Sequence, residues 1–312
     1  MTATKRSWEG NPVINTTTTD TTDTPPAKSA ATMDEPSTKI LSIFGTFRDE
    51  LDEHHDRRER IIKTSRDITA LSKKIIFSLQ RSVLSPHLPS YATDNNSIRT
   101  LNTPLPPSIE KETTSRFDQI TTLFTSLTPD LTGTKAWRYQ RQISPGMQEY
   151  IEALSFHHYI LTQQLIMREE VVARLPEGVR ACVTEEDYLM GLFDLTGEIM
   201  RFAVTGLSQP QHQDNSNENE NEQEKEKEEE QGCGRKLPPS QAGIVVDLRA
   251  MRAAFEMLTV PRRHSMFRDM DKKVDVMQNS VEKVERAAYG ILVRGSERPA
   301  GWMPDFSHGE DL

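Results

Sequence analysis

Four carboxylates stand out by type and spacing. Glu149 and Glu152 lie three residues apart and Asp194 and Glu198 four apart, so each pair shares one side of a helix wherever its segment is helical. Both segments are otherwise strongly apolar. Met147, Tyr150, Ile151, Leu154, Phe156 and Tyr159 surround the first pair, and Leu189, Met190, Leu192, Phe193, Leu195, Ile199, Met200 and Phe202 the second. Neighbouring carboxylates on a mostly buried helix repel one another and resist desolvation, so they need a cation, a shared proton or an opening to water. If the two helices pack with these stripes opposed, the four groups converge into an oxygen-only donor set suited to Mg2+ or Mn2+. An ion held in that way polarises a phosphodiester and activates water for in-line attack. The competing reading is a pair of solvated faces, where such spacings are commonplace. Spacing by itself leaves both open.

Other chemistries find little support. His157 and His158 are adjacent and so do not face together on a helix, and no second ligand stands at helical spacing; they and His54-His55 read as packing or surface residues. There is no Gly-rich phosphate loop, no Ser or Cys nucleophile signature and no zinc spacing. Two cysteines, Cys182 and Cys233, make no disulfide framework and fit a reducing compartment, cytoplasm or nucleus. No apolar run approaches the roughly 18 residues of a membrane-spanning helix, so a soluble chain with no membrane partner is expected.

The formal net charge of -9 is unevenly placed. Asp214 to Gln231 carries nine acids and two lysines, a local -7, which leaves the remaining chain at -2. Arg57 to Arg81 carries eight Lys and Arg against Glu59 and Asp67, a local +6. That segment is the first candidate face for a polyanion.

These groups must be held by helices. Residues 1–36, rich in Thr, Asp and Pro, show no apolar period and read as a disordered arm. From Ser37, the positions Ile40, Phe44, Phe47, Leu51, Ile61, Ile62, Ile68, Leu71, Ile75 and Leu79 recur at steps of three and four until Pro86 and Pro89. This predicts one long amphipathic helix that must pack against others. A Pro-rich loop is expected over 84–107, then a helix from Ile109 closed by Pro129. Ser144-Pro145 starts a helix or bends an existing one, which runs to about Arg168. Thr184 and Asp187 begin another, through about Thr205. Beyond an acidic low-complexity insert at 209–241, Val245 to Leu258 and Ser265 to Val293 have helical spacing, followed by a tail at 300–312. No strand pattern appears. The class is all-α: one helical domain over 37–299, interrupted by the loop and the insert.

Five short segments in this order are specific as a set: Ser65-Arg66-Asp67-Ile68-Thr69 with Ser72-Lys73, Gln148-Glu149-Tyr150-Ile151-Glu152-Ala153, Asp187-Tyr188-Leu189-Met190-Gly191, Asp194-Leu195-Thr196-Gly197-Glu198, and Val293-Arg294-Gly295-Ser296-Glu297. Together they resemble the translin-associated factor X branch of the translin family, over about 38–206 and 243–299. The resemblance implies a seven-helix, translin-like bundle that joins translin in a hetero-octameric barrel, the assembly called C3PO. It also implies a Mg2+-dependent endoribonuclease (Mn2+ being an alternative ion) acting on single-stranded or nicked RNA, such as small-RNA passenger strands and transfer-RNA precursor fragments, with single-stranded DNA as a further ligand. By matching motif, Glu149, Glu152 and Asp194 would be the catalytic acids, and Glu198 would complete the metal shell. The Pro-rich loop and acidic insert depart from the family pattern without touching the acidic motifs.

Two functions are therefore carried forward, a metal-dependent ribonuclease subunit and a non-catalytic helical partner or nucleic-acid scaffold of translin. A hydrolase of small phosphates stands behind them. On the first, Arg66, Lys73 and Lys74 are the expected phosphate contacts, with binding that weakens as salt rises. Long apolar seams predict poor solubility without translin.

Overall fold

Seven α-helices follow one another among the described residues, with no strand between them: α1 (Glu35–Gln80), α2 (Pro107–Leu131), α3 (Lys135–Thr162), α4 (Arg168–Ala173), α5 (Glu185–Leu207), α6 (Pro239–Glu256) and α7 (Phe267–Arg294). Short 3₁₀ turns at Arg81–Leu84 and Glu177–Cys182 complete the path. The coordinates are a computed structural model that describes residues 35–84, 105–208, 239–261 and 267–294. The expected arm, Pro-rich loop, acidic insert and tail lie outside these residues except at their edges. No helix among the described residues is long and apolar enough to cross a membrane.

Internal contacts divide the chain into two units, Met1–Asp52 and Glu53–Leu312. In the first, the apolar positions Ile40, Phe44, Phe47 and Leu51 are all exposed, and Phe44 and Phe47 touch edge to face with centroids 6.4 Å apart. The expected buried seam therefore holds only in the second unit. There Arg57, Ile61, Ser65, Ile68, Ser72, Ile75 and Leu79 of α1 form a buried stripe at steps of three and four, the spacing that keeps one helix side against a core.

Local chemistry accounts for the ends and the irregularities. Pro107 opens α2, where a missing N–H costs nothing, and Pro129 lies inside its last turns rather than closing it. The α3 helix ends at Gln163, whose left-handed φ of 54° sends its N–H back to Tyr159 O at 2.7 Å. Thr184 caps α5 by accepting the Asp187 N–H at 3.0 Å, and Glu185, Glu186 and Asp187 place negative charge on its positive end.

Pro145 starts no helix: it lies inside α3, which runs through it. Proline leaves a helix one N–H short and crowds the preceding turn. The Ser65 hydroxyl of α1 accepts from Gly146 N–H at 3.0 Å and donates to Ile143 O at 3.5 Å, so it patches the backbone on both sides of the proline. The approach is close enough that a Cβ on Gly146 would lie 2.8 Å from the Ser65 carbonyl oxygen. This is the physical reason for a glycine after that proline.

Candidate functional site

The α3 and α5 helices run in the same direction, and contacts at sequence offsets between 39 and 47 fix their register. Asp187 of α5 is almost fully buried and accepts hydrogen bonds from three α3 side chains, Ser144 at 2.5 Å, Gln140 at 2.8 Å and Gln148 at 2.8 Å. One turn on, Gly191 abuts Gln148 O and Ile151. Further along, Phe202 meets Phe156 edge to face at 5.9 Å. Between these points the register brings Asp194 and Glu198 beside Glu149 and Glu152. The sequence stripe Asp187, Gly191, Asp194, Glu198 is thus a polar bolt, a close approach and two acids in succession. Parallel neighbours cannot be joined by a tight turn, and the connection through α4 and the 3₁₀ turn at Glu177–Cys182 supplies the length.

Glu152 feels the charges of the other three. Only 8% of it is exposed, and among the described residues it has no ion-pair partner. Burial, and then the negative charges of Asp194, Glu149 and Glu198, push its carboxyl up to about 8, against the opposing pull of Lys273. The four acids proposed from spacing therefore meet in one electrostatic neighbourhood.

Each of the other three is held by a cation. Glu149 Oε1 lies 3.1 Å from Lys73 Nζ of α1, and Asp194 accepts from Lys273 Nζ of α7. Glu198, also buried, is 2.9 Å from Arg201 and receives Gln80 Nε2 on its side chain at 2.9 Å and its carbonyl at 2.8 Å. Glu152 and Glu198 form an inner, buried pair, while Glu149 and Asp194 are partly open to solvent. Among the described residues no three His, Cys, Asp or Glu are grouped tightly enough to hold an ion as they stand. The donor set suits a hard divalent cation in chemistry, and Glu152 is the buried acid left without a cation of its own.

The basic segment is divided by the fold. Arg57 is buried and donates to Asp130 at 3.0 Å and Glu53 at 2.5 Å, while Arg60 donates to the same Asp130 at 3.0 Å. Arg81 pairs with Glu112 at 2.7 Å. These three, counted by sequence as part of a polyanion face, are committed to ion pairs with acids of the α1 and α2 helices. Arg66, Lys73 and Lys74 are exposed. Arg66, Lys73 and Gln80 recur every seven residues, one stripe of α1 from which Lys73 and Gln80 reach the acids. His157 is neutral, its pKa pushed down to about 4 by burial, and packs edge to face on Phe117 at 5.5 Å; His54 Nδ1 bonds the Tyr139 hydroxyl at 2.6 Å. No spacing pattern marks Lys273 or Gln80 as partners of the acids. Arg201, three residues after Glu198 on α5, is by contrast a local partner at helical spacing.

The raised Glu152 pKa carries a sign for stability. An acid that titrates near 8 when folded and near its ordinary 4.5 when unfolded keeps its proton longer in the folded state, so that state binds more protons across the window. Stability therefore falls as pH rises from about 4.5 to about 8. In EDTA, thermal unfolding followed from pH 5 to 8.5 is expected to show a declining Tm. Glu152→Gln should remove this contribution to the slope, and an unchanged slope in that variant would place the titrating group elsewhere.

The sequence pattern of the translin family matches residues 56–295. The chain belongs to the translin family. It is similar to translin-associated protein X of Mus musculus, 28% identical over 299 residues that cover 88% of this chain and 87% of the relative. The translin-associated protein X homolog of Schizosaccharomyces pombe is 28% identical over 258 residues, 82% of this chain and 89% of the relative. Among solved structures, one described as the crystal structure of AfC3PO superposes with a TM-score of 0.50 at 16% identity, covering 80% of this chain and 97% of that one. That likeness is one of fold. The all-helical class read from the sequence is thus the class of this translin-family chain, and the five ordered motifs identified the family.

Proposed function

We propose that this translin-family chain is the catalytic subunit of a translin-containing hetero-oligomer, of the octameric C3PO type, that hydrolyses single-stranded or nicked RNA with Mg2+. The observation that carries the reading is the buried Glu152, without a cation of its own and repelled by the charges of Asp194, Glu149 and Glu198. The relatives' name, translin-associated protein X, supports translin as the partner.

Glu149, Glu152, Asp194 and Glu198 would hold the ion, Mg2+ or Mn2+. When bound, it supplies activation of water and neutralisation of charge on the phosphodiester. The protein's own part is positioning. The Asp187 bolt and the Gly191 contact fix the spacing of α3 and α5, Gln80 orients the Glu198 carboxylate, and the apolar residues between the acids lower the local dielectric. That last effect strengthens every charge interaction within the site. The exposed Arg66, Lys73 and Lys74 of α1 would contact the strand's phosphates.

One observation favours the scaffold reading instead: three of the four acids are already neutralised by Lys73, Lys273 and Arg201. The two readings separate in one assay on the full chain co-purified with translin. Internal cleavage of an end-labelled single-stranded RNA is expected with Mg2+ and not in EDTA. RNA binding without cleavage under both conditions would leave the scaffold function, and turnover of mononucleotides without RNA cleavage would point to a small-phosphate hydrolase.

A further inference from the structure

Two of the three cations on the acids come from outside α5, and they differ in setting. The Lys73 side chain is largely exposed, whereas that of Lys273 is mostly covered. Lys273 comes from α7, a helix packed along α5, and is the cation whose charge offsets the repulsion felt by Glu152. Its ammonium therefore sits on Asp194, with its charge also reaching Glu152. An ammonium and a divalent ion compete for the same carboxylate oxygens, since both are bound by charge and by the same lone pairs.

We propose that Lys273 is a tethered counter-cation of the acidic site. In the metal-free chain it neutralises Asp194; with a divalent ion on the acids it would be released from Asp194, and its ammonium would become a contact for the phosphodiester of the bound strand. The inference rests on the proposal above that these acids hold a divalent ion, and it deepens that proposal by adding a strand-contacting cation from a third helix. The exchange follows from charge. Once Asp194 is committed to a divalent ion, its attraction for Lys273 is largely cancelled, and the nearest uncompensated anion is the substrate phosphate. Lys273 thereby couples occupancy of the acids to affinity for the strand.

The test uses the full chain co-purified with translin. Mn2+ binding is read by electron paramagnetic resonance, and affinity for a single-stranded RNA oligonucleotide is measured in Ca2+, which takes the same oxygen ligands, and again in EDTA. Lys273→Met is expected to tighten Mn2+ by about tenfold, because a competing unit charge is gone. It should weaken RNA binding by about threefold to tenfold in Ca2+ and by a clearly smaller factor in EDTA, where the phosphate contact is absent and only the bared charge of Asp194 is felt. Lys273→Arg keeps the charge and should stay near the wild-type values, which separates a charge effect from damage to α7. Mn2+ affinity that is unchanged or weaker in Lys273→Met overturns the proposal, as does RNA affinity lowered equally in Ca2+ and EDTA. If the wild-type complex itself shows no Mn2+ binding that Glu152→Gln abolishes, the metal site fails and takes this inference with it; wild-type binding with an indifferent Lys273→Met removes the inference alone.

Discussion

Glu152→Gln is expected to abolish Mg2+-dependent RNA cleavage, by about a thousandfold or more, while making the metal-free protein more stable above neutral pH. The two effects have opposite signs for one reason. Glu152 is buried among three other acids, so its charge is a liability to the fold and an asset only when a divalent ion is present. Glutamine has the same shape and an acceptor oxygen, but it removes the charge, relieves the repulsion from Asp194, Glu149 and Glu198, and weakens the ion's hold. RNA affinity should stay within about twofold, because strand binding depends on cations facing phosphates rather than on the acids. Lost cleavage with raised Tm and retained binding cannot come from misfolding, which would lower all three. Cleavage that remains within tenfold of wild type would remove Glu152 from the chemistry.

What the sequence disclosed and what it withheld divide along a physical line. The i,i+3 and i,i+4 spacings of Glu149, Glu152, Asp194 and Glu198 are local facts about helices, and apolar periodicity says which helices are buried. Both were legible because a helix fixes neighbours three and four residues away whatever it packs against. The class and the order of helices were legible for the same reason. Partners from distant segments were not. Lys273 is 79 residues from Asp194, and Gln80 is 118 residues from Glu198; nothing in their local context singles them out. The +6 of Arg57 to Arg81 misled in the same way, since Asp130, 73 and 70 residues further on, takes up Arg57 and Arg60. Pro129 and Pro145 also show the limit of a local rule. A proline weakens a helix, but whether it ends one depends on what covers the broken backbone, and at Pro145 that is a serine from α1. The exposed Phe44 and Phe47 show the converse, apolar periodicity that this unit does not itself bury.

Gly191→Ala is expected to destabilise the fold and lower cleavage by a larger factor than its cost in stability suggests. In an isolated helix the change would help, by about 1 kcal/mol. Here a Cβ would lie 2.8 Å from Ile151 Cγ2 and 3.1 Å from the Gln148 carbonyl oxygen. Ile151 is fully buried and β-branched, so its methyl cannot swing aside, and Gln148 is held by its bond to Asp187. Relief must come from separating α3 and α5, an overpacking cost of about 1–3 kcal/mol that exceeds the helical gain. The separation occurs between the Asp187 bolt and the acids, so it moves Asp194 and Glu198 away from Glu149 and Glu152. Displacement of catalytic groups by about 1 Å costs on the order of a hundredfold in rate. Unfolding and cleavage measured on the same preparations should show a Tm lower by several degrees and a rate lower by more than tenfold at a temperature where the variant is fully folded. Ile151→Leu moves the branch point away from the backbone, so the double variant should lose less stability than the two single changes together. A Gly191→Ala variant that melts at or above the wild-type temperature and cleaves normally would mean that the close approach of α3 and α5 does not set the spacing of the acids.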